Sequence, residues 1–324
     1  MNKFDLEIIL ITFNRLPFLK RTMGFLFDKN SPVKDLPITV LDNCSTDGTN
    51  AYLQTLSAKH KNLKIIKNNF NIGGNLNIAK AFETASHTYF WVICDDDTYN
   101  WKYWPRLEEA LSQQPDLIIV NTEHTKGDVS FPKMVRLLTF VPASIYKRAT
   151  ILPAAIKNIY YNAENWFPHL AAVCEVINKN GKIRTLKNNL VITGKDQDFD
   201  RTFNNHADKT LALKSRLIFF EIGYLSSLSL INDPKKRTEA VEDYGVNNHS
   251  FFDNMMGLAK RNLIYHRNSL RNYMQVFYVC NFWQKVRFCC AIIIVHLRFC
   301  LLYPKYNKRK KEHLMKVENT DGVC

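Results

Sequence analysis

YFWVICDDDTYNW, residues 89–101, runs from six apolar residues straight into three carboxylates, Asp95, Asp96 and Asp97. An apolar run this short reads as a strand buried on both faces, as in a parallel sheet. Three like charges side by side repel, and the apolar approach leaves them poorly solvated. Acids at the end of a buried strand therefore need a partner that offsets both effects.

Further strands of the same kind lie upstream. LEIILITF (6–13), PITVLDN (37–43) and LKIIKNN (63–69) are short apolar runs that each end in polar residues. Between them, LPFLKRTMGFLFD (16–28), the stretch after STDGT (45–49) and NIGGNLNIAKAFETAS (71–86) have helical character. Pro17 suits a first helical turn. Ser45 or Thr46 is placed to cap the second helix, with Asp47 favourable in its first turn. This alternation predicts an α/β fold, a mostly parallel sheet flanked by helices. Ligands of such sheets bind beyond the carboxyl ends of the strands. Thr12-Phe13-Asn14-Arg15, Asp42-Asn43, Asn68-Asn69 and the three acids should therefore gather at one polar rim.

The pattern is more mixed from 115 to 205. PDLIIVNTEH (115–124) and SFPKMVRLLTFVPASIYK (130–147) read as strands and loops. WFPHLAAVCEVINKNG (166–181) reads as an amphipathic helix closed by Gly181, and KIRTLKNNLVITG (182–194) as a strand pair. Helical periodicity dominates beyond 207, which puts a boundary near 205 between a domain of residues 1–205 and a helical extension, 206–324. VRFCCAIIIVHLRFCLLY (286–303) is the most apolar segment, but its unbroken core, FCCAIIIV, is far shorter than the ~20 residues of a spanning helix. KYNKRKKEHLMK (305–316) follows as a dense basic run. Together they predict an interfacial anchor on an anionic membrane surface.

The 324 residues are 46% hydrophobic and 23% charged, the balance of a globular chain rather than a disordered one. A formal charge of +14 favours polyanionic partners without choosing among them. The eight cysteines show neither C-x-x-C nor His/Cys metal spacing, so reduced thiols are expected. The first apolar run is too short for a signal peptide and is preceded by acids. The expected location is the cytoplasm, peripheral at the inner face of the cell membrane.

Clustered acids at a strand end suit a hard divalent cation, Mg²⁺ or Mn²⁺, whose own charge removes the repulsion. Asp42 follows a strand and precedes a turn, a position suited to a nucleoside. Gly73 and Gly74 open a helix whose N–H groups favour phosphate. Neither a G-x-G-x-x-G nor a G-x-x-x-x-G-K-[ST] loop is present.

ITFNR, VLDNCSTDGT, NNFNIGGNLNIA and ICDDDTY, in this order, resemble the family 2 glycosyltransferases of the GT-A fold, over roughly residues 5–205. The resemblance implies a Rossmann-like sheet, a nucleotide-diphosphate sugar donor, a divalent metal and inversion at the anomeric carbon. It implies that Thr12 and Asn14 line the nucleotide pocket, that Asp42 contacts the base, and that Asn71, Gly73 and Gly74 shape the wall near ribose and diphosphate. The acids stand where the family has its D-x-D element. A D-x-D register selects Asp95 and Asp97; a D-D register selects Asp95 and Asp96. Asp97 is expected as the direct metal ligand, with Asp95 meeting the ribose or the metal through water. Asn43 departs from the pattern where a second acid is common, and Gly74-Asn75 varies the glycine spacing. An inverting transferase needs a general base after the acidic motif, and NAENWFPHL offers Glu164, with Asp196 and Asp198 as second choices. His169 reads as a structural helix residue. Trp101, Trp104 and Trp166 are candidate acceptor contacts.

The expected activity is transfer of a sugar to a hydroxyl of a glycan or lipid-linked acceptor in surface polysaccharide or lipooligosaccharide synthesis. A sugar nucleotidyltransferase needs a glycine-rich phosphate loop after the first strand, which ITFNRLPF lacks. A nucleic-acid binder would interleave its cations with aromatics on one face, whereas much of this excess sits in the C-terminal tail. No nucleic-acid partner is expected.

Overall fold

The computed structural model describes residues 4–120, 130–192, 220–244, 250–265 and 269–299. The chain forms two compact units, one spanning residues 1–194 with 230–233, the other 195–229 with 234–324. The boundary expected near 205 lies outside the described residues.

The first unit is built on a seven-stranded sheet. Its strands in chain order are β1 (Leu6–Thr12), β2 (Ile38–Asp42), β3 (Leu63–Lys67), β4 (Tyr89–Cys94), β6 (Leu117–Ile119), β7 (Ser144–Lys147) and β8 (Ile183–Thr185). Across the sheet they run β3-β2-β1-β4-β7-β6-β8. β5 (Thr98–Tyr99) and β9 (Val191–Ile192) form a separate antiparallel pair. β3, β2, β1 and β4 are mutually parallel, whereas β7 runs antiparallel to both β4 and β6. The mostly parallel α/β sheet read from the sequence is present.

Helices cover the sheet because alternate strand residues are apolar on both faces. Leu6, Ile8 and Leu10 of β1 and Trp91 and Ile93 of β4 share one core with Leu19, Met23 and Leu26 of α1 (Leu16–Leu26). Leu53 of α2 (Thr49–Lys59) and Leu107 and Leu111 of α4 (Trp104–Ser112) complete it. On the other face, Phe90 stacks on Tyr146 at 5.6 Å and meets Phe82 of α3 (Gly74–Thr84) edge-on at 5.3 Å. Each such buried side chain contributes on the order of 2 kcal/mol.

The structure departs from the sequence expectations beyond β4. Phe131–Leu137, within a stretch expected as strand and loop, is a helix, α5, with Pro132 in its first turn, where a missing N–H is harmless. Short helices α6 (Arg148–Ile151) and α7 (Ala154–Tyr161) follow β7. The strands in 182–194 exist but do not pair with each other: β8 pairs with β6, and β9 with β5. The helix expected over 166–181 is α8 (Leu170–Asn178), starting after Pro168. Gly181 closes it, its N–H donating to the Val176 carbonyl at 2.8 Å; a Cβ there would meet Val176 Cγ1 at 2.8 Å.

The second unit is helical where described, with helices at 220–228, Pro234–Glu242, Phe251–Tyr265, Leu270–Val279 and 282–299. Among the described residues no helix is long and apolar enough to cross a membrane.

Candidate active site

The four parallel strands deliver their carboxyl ends to one edge, as expected of the polar rim. Thr12 pairs in register with Asp42 on one side, and Ile11 with Cys94 on the other, so β1 sits between Asp42 and the acids. The loops beyond are stitched to one another. Asn14 takes a left-handed backbone (φ 51°), donates its N–H to Ser45 Oγ at 2.8 Å and accepts the Thr46 N–H at 2.7 Å. Ser45 and Thr46 therefore serve this loop contact and do not cap the second helix. Asp47 does that work for two helices, accepting the Leu16 N–H at 2.8 Å and the Thr49 hydroxyl at 2.7 Å. Burial pushes its carboxyl upward, but the Thr49 hydroxyl and the Leu16 and Thr49 N–H groups overcome this and hold it below the usual range.

Asp42 is fully buried. One carboxylate oxygen accepts the Ser45 N–H at 3.0 Å, while Oδ2 has no hydrogen-bond partner among the described residues. A buried carboxylate oxygen without a donor is costly unless a ligand supplies one.

Asn43 explains its departure from an acid. Its Oδ1 accepts from Asn68 Nδ2 at 2.8 Å and the Ile72 N–H at 3.0 Å, while its Nδ2 donates to Asn71 Oδ1 at 2.7 Å. A carboxylate could not make that donation. Asn71 Oδ1 also accepts the Gly73 N–H at 2.8 Å, so Asn71 shapes the approach to α3. Gly73 stands in the left-handed region (φ 86°) just before the helix, and a Cβ at Gly73 or Gly74 would meet open space. The glycines thus leave the N-terminus of α3 uncovered.

The three acids lie in the turn after β4 and differ in surroundings. Asp95 and Asp97 are buried, whereas Asp96 is partly exposed. Asp95 is held by the Thr12 hydroxyl, donating to Oδ2 at 2.6 Å, and by Arg15, whose Nη1 is 3.1 Å from Oδ1. Burial pushes the Asp95 carboxyl up to about 7, against the pull of Arg15 and Thr12. Arg15 also reaches Asp96 Oδ2 at 2.7 Å, and the Thr22 hydroxyl donates to the Asp95 carbonyl at 2.8 Å. Ligand atoms of Cys94, Asp96 and Asp97 lie within 4.8 Å of one another. Burial and the neighbouring Asp97, Asp96 and Asp95 charges push the Cys94 thiol well above its ordinary value. With no metal bound this leaves a neutral thiol, and the Asp96 and Asp97 carboxylate oxygens beside it are hard donors that suit a divalent ion.

Glu164 is exposed in the 3₁₀ turn Asn162–Glu164. Asn75 Nδ2 donates to the neighbouring Ala163 carbonyl at 2.7 Å, tying this turn to the first turn of α3. His169 is buried and donates Nε2–H towards the Leu138 and Thr139 carbonyls at 2.9 and 3.1 Å. Burial lowers its pKa to about 4, so it is a neutral structural residue. Trp104 is buried, and Trp101, partly buried, stacks on Tyr99 at 5.0 Å and meets Trp104 edge-on; only Trp166 of the three is exposed. Asp196 and Asp198 lie outside the described residues. Sequence reasoning put Arg15 and Phe13 at the rim without assigning either a role. Arg15 pairs with acids some eighty residues away, a contact with no local signal, and the Phe13 ring lies open at the end of β1.

The sequence profile of glycosyl transferase family 2 matches residues 7–171, the span that builds this rim. The chain belongs to this family. As a family 2 glycosyltransferase it is 26% identical over 120 residues to the abequosyltransferase RfbV of Salmonella typhimurium, a match spanning 36% of each chain. Its fold is similar to that of S. aureus TarS residues 1–349 in complex with UDP, with 16% identity, a TM-score of 0.50, and coverage of 82% of this chain and 73% of that one. The TarS complex with UDP-GlcNAc gives 15% identity, a TM-score of 0.50, and coverage of 85% and 79%.

Proposed function

We propose that this glycosyltransferase moves a sugar from a nucleotide-diphosphate sugar to a hydroxyl of a glycan or lipid-linked acceptor, with inversion, in surface polysaccharide or lipooligosaccharide synthesis. Residues 1–205 form the catalytic domain and 206–324 a helical extension that meets the inner face of an anionic membrane. The observation that carries the reading is the buried Oδ2 of Asp42, which has no hydrogen-bond partner among the described residues, on the same rim as the acid cluster. An acceptor waiting for an N–H suits a nucleobase edge, and Phe13 offers a ring to lie beside it. The TarS complexes with UDP and UDP-GlcNAc support a nucleotide-sugar donor on this fold. The likeness to a protein named as an abequosyltransferase supports transfer of a sugar.

In this reading Thr12 and Asn14 line the nucleotide pocket, and Asn71, Gly73 and Gly74 hold open the wall where the α3 N-terminus favours the diphosphate. Asp97 would hold a Mg²⁺ or Mn²⁺ ion directly, with Asp96 beside it, while Asp95 keeps Arg15 in place and meets the ion or the ribose through water. The bound cation would stabilise negative charge on the departing diphosphate. Glu164 accepts the acceptor hydroxyl's proton as the oxygen bonds to the anomeric carbon and the bond to the diphosphate breaks. Trp166 offers the acceptor an exposed ring.

A ligand that binds only the folded state raises its melting temperature. Screening uridine, guanosine, cytidine and thymidine diphosphates with Mn²⁺ should find one that stabilises the wild type and fails to stabilise Asp42→Ala. Equal stabilisation of both, or by none, contradicts the assignment.

A further inference from the structure

The second unit carries an apolar surface. Among the described residues, Leu270, Met274 and Tyr278 are exposed on the helix Leu270–Val279, and Phe282, Trp283, Val286, Ile293 and Leu297 on the helix through 282–299. Tyr278 is 83% exposed and Trp283 70%, at the corner where one helix leads into the next. At 100° per residue, positions 282, 283, 286, 289, 290, 293 and 297 fall within an arc of about 120°. Every one of them is apolar or cysteine, and all are exposed. Gln284, Phe288, Ala291 and Val295, all buried, fall on the opposite side. Phe288 is held there edge-on against Tyr273 at 5.7 Å, so the outward face is fixed by packing. Lys285 and Arg298 lie about 100° and about 120° from the centre of the exposed arc, on either side of it, where long cationic side chains reach past an apolar layer to its polar border.

Charge selects the occupant. From Asn254 to Lys311 the sequence contains no Asp or Glu and twelve Lys or Arg. A second copy of this face would bring cations against cations, whereas an anionic surface complements them. The exposed aromatics at the helix corner match the residues enriched where membranes meet water.

From this geometry we infer that the face running from Leu270 through Leu297 lies in the surface of an anionic lipid bilayer, with the Tyr278–Phe282–Trp283 corner inserted and the helix axes in the membrane plane. This locates the membrane-surface reading above. It puts the docking surface on folded helices upstream of the basic run 305–316, which adds electrostatic attraction.

The test is co-sedimentation of the full chain, without donor or acceptor, with phosphatidylcholine vesicles that contain or lack phosphatidylglycerol. The wild type should sediment with the anionic vesicles, less so in high salt, and its tryptophan emission should shift to the blue. Trp283→Phe should bind but lose most of that shift. Ile293→Glu with Leu297→Glu, both on the exposed arc, should bind about tenfold or more weakly with an unchanged circular dichroism spectrum. Replacing Lys308, Arg309, Lys310 and Lys311 by Gln should weaken the salt dependence and leave the blue shift. Equal binding by the Glu variant overturns the proposal, as does a wild-type dimer that ignores vesicles and dissociates in that variant. Because no sugar transfer is read, failure here is separable from failure of the assigned activity.

Discussion

In the parallel half of the sheet, β1 to β4, strands of five to seven residues carry, at their last residue or the next one, a side chain bonded to a neighbouring loop or strand end. Thr12 reaches Asp95, Asp42 takes the Ser45 N–H, and Asn68 joins Asn43 to Asn77. In the half beyond β4, strands of two to four residues alternate with short helices, and their pairing partners are distant in sequence. The first half fixes polar atoms by register; the second supplies residues such as Glu164 on a turn tied to α3 through the Ala163 carbonyl. The proposed donor site, which needs several groups at once, suits the first, and the proposed acceptor site suits the second.

The contrast breaks most visibly at Glu164. Glu164→Gln should keep nucleotide-sugar binding while turnover falls about 10²–10⁴-fold, read by steady-state kinetics beside a binding assay. Normal turnover would move the base elsewhere. Next in size is His169, the anchor of the second half. Its folded pKa of about 4 lies below the ordinary 6.5, so the unfolded chain binds the proton first. Its contribution is intact above about pH 6.5 and is lost as pH falls towards 4, about 3 kcal/mol in all. Urea titrations over that window should show this loss, and His169→Gln, which keeps a donor for the carbonyls, should flatten it. Arg15→Ala should cost about 2 kcal/mol, because buried Asp95 loses a charge partner that is itself partly exposed. The smallest effect expected is for Asn43→Asp, about 1 kcal/mol from the lost donation to Asn71, measured by chemical denaturation.

The same contrast decided what could be read from the residues. LEIILIT, ITVLD and YFWVIC are mostly apolar because they are covered on both faces, so the polar residues at and beyond their ends stand out and the rim is legible. SFPKMVRL was not: seven helical residues give too few turns for periodicity to separate helix from strand. The strands in 182–194 were legible as strands, but their partners, set by tertiary packing, were not. Caps misled for a related reason. Ser45 had the chemistry to cap the second helix, yet its hydroxyl was taken by the backbone N–H of Asn14, thirty-one residues earlier. Of the three acids, the residues alone favour Asp97 for the metal, whereas the hold of Arg15 on Asp95 and Asp96 spans the fold and has no local signal.

The proposed metal-dependent transfer depends most directly on Asp97. Sugar transfer from the donor found by the nucleotide screen should be measured for the wild type, the wild type in excess chelator, and Asp97→Ala, with the fold checked by circular dichroism. Transfer should be lost in excess chelator and in Asp97→Ala, and added Mn²⁺ should restore the chelated wild type but not the variant. Full transfer by Asp97→Ala, or in excess chelator, would contradict the proposed metal dependence.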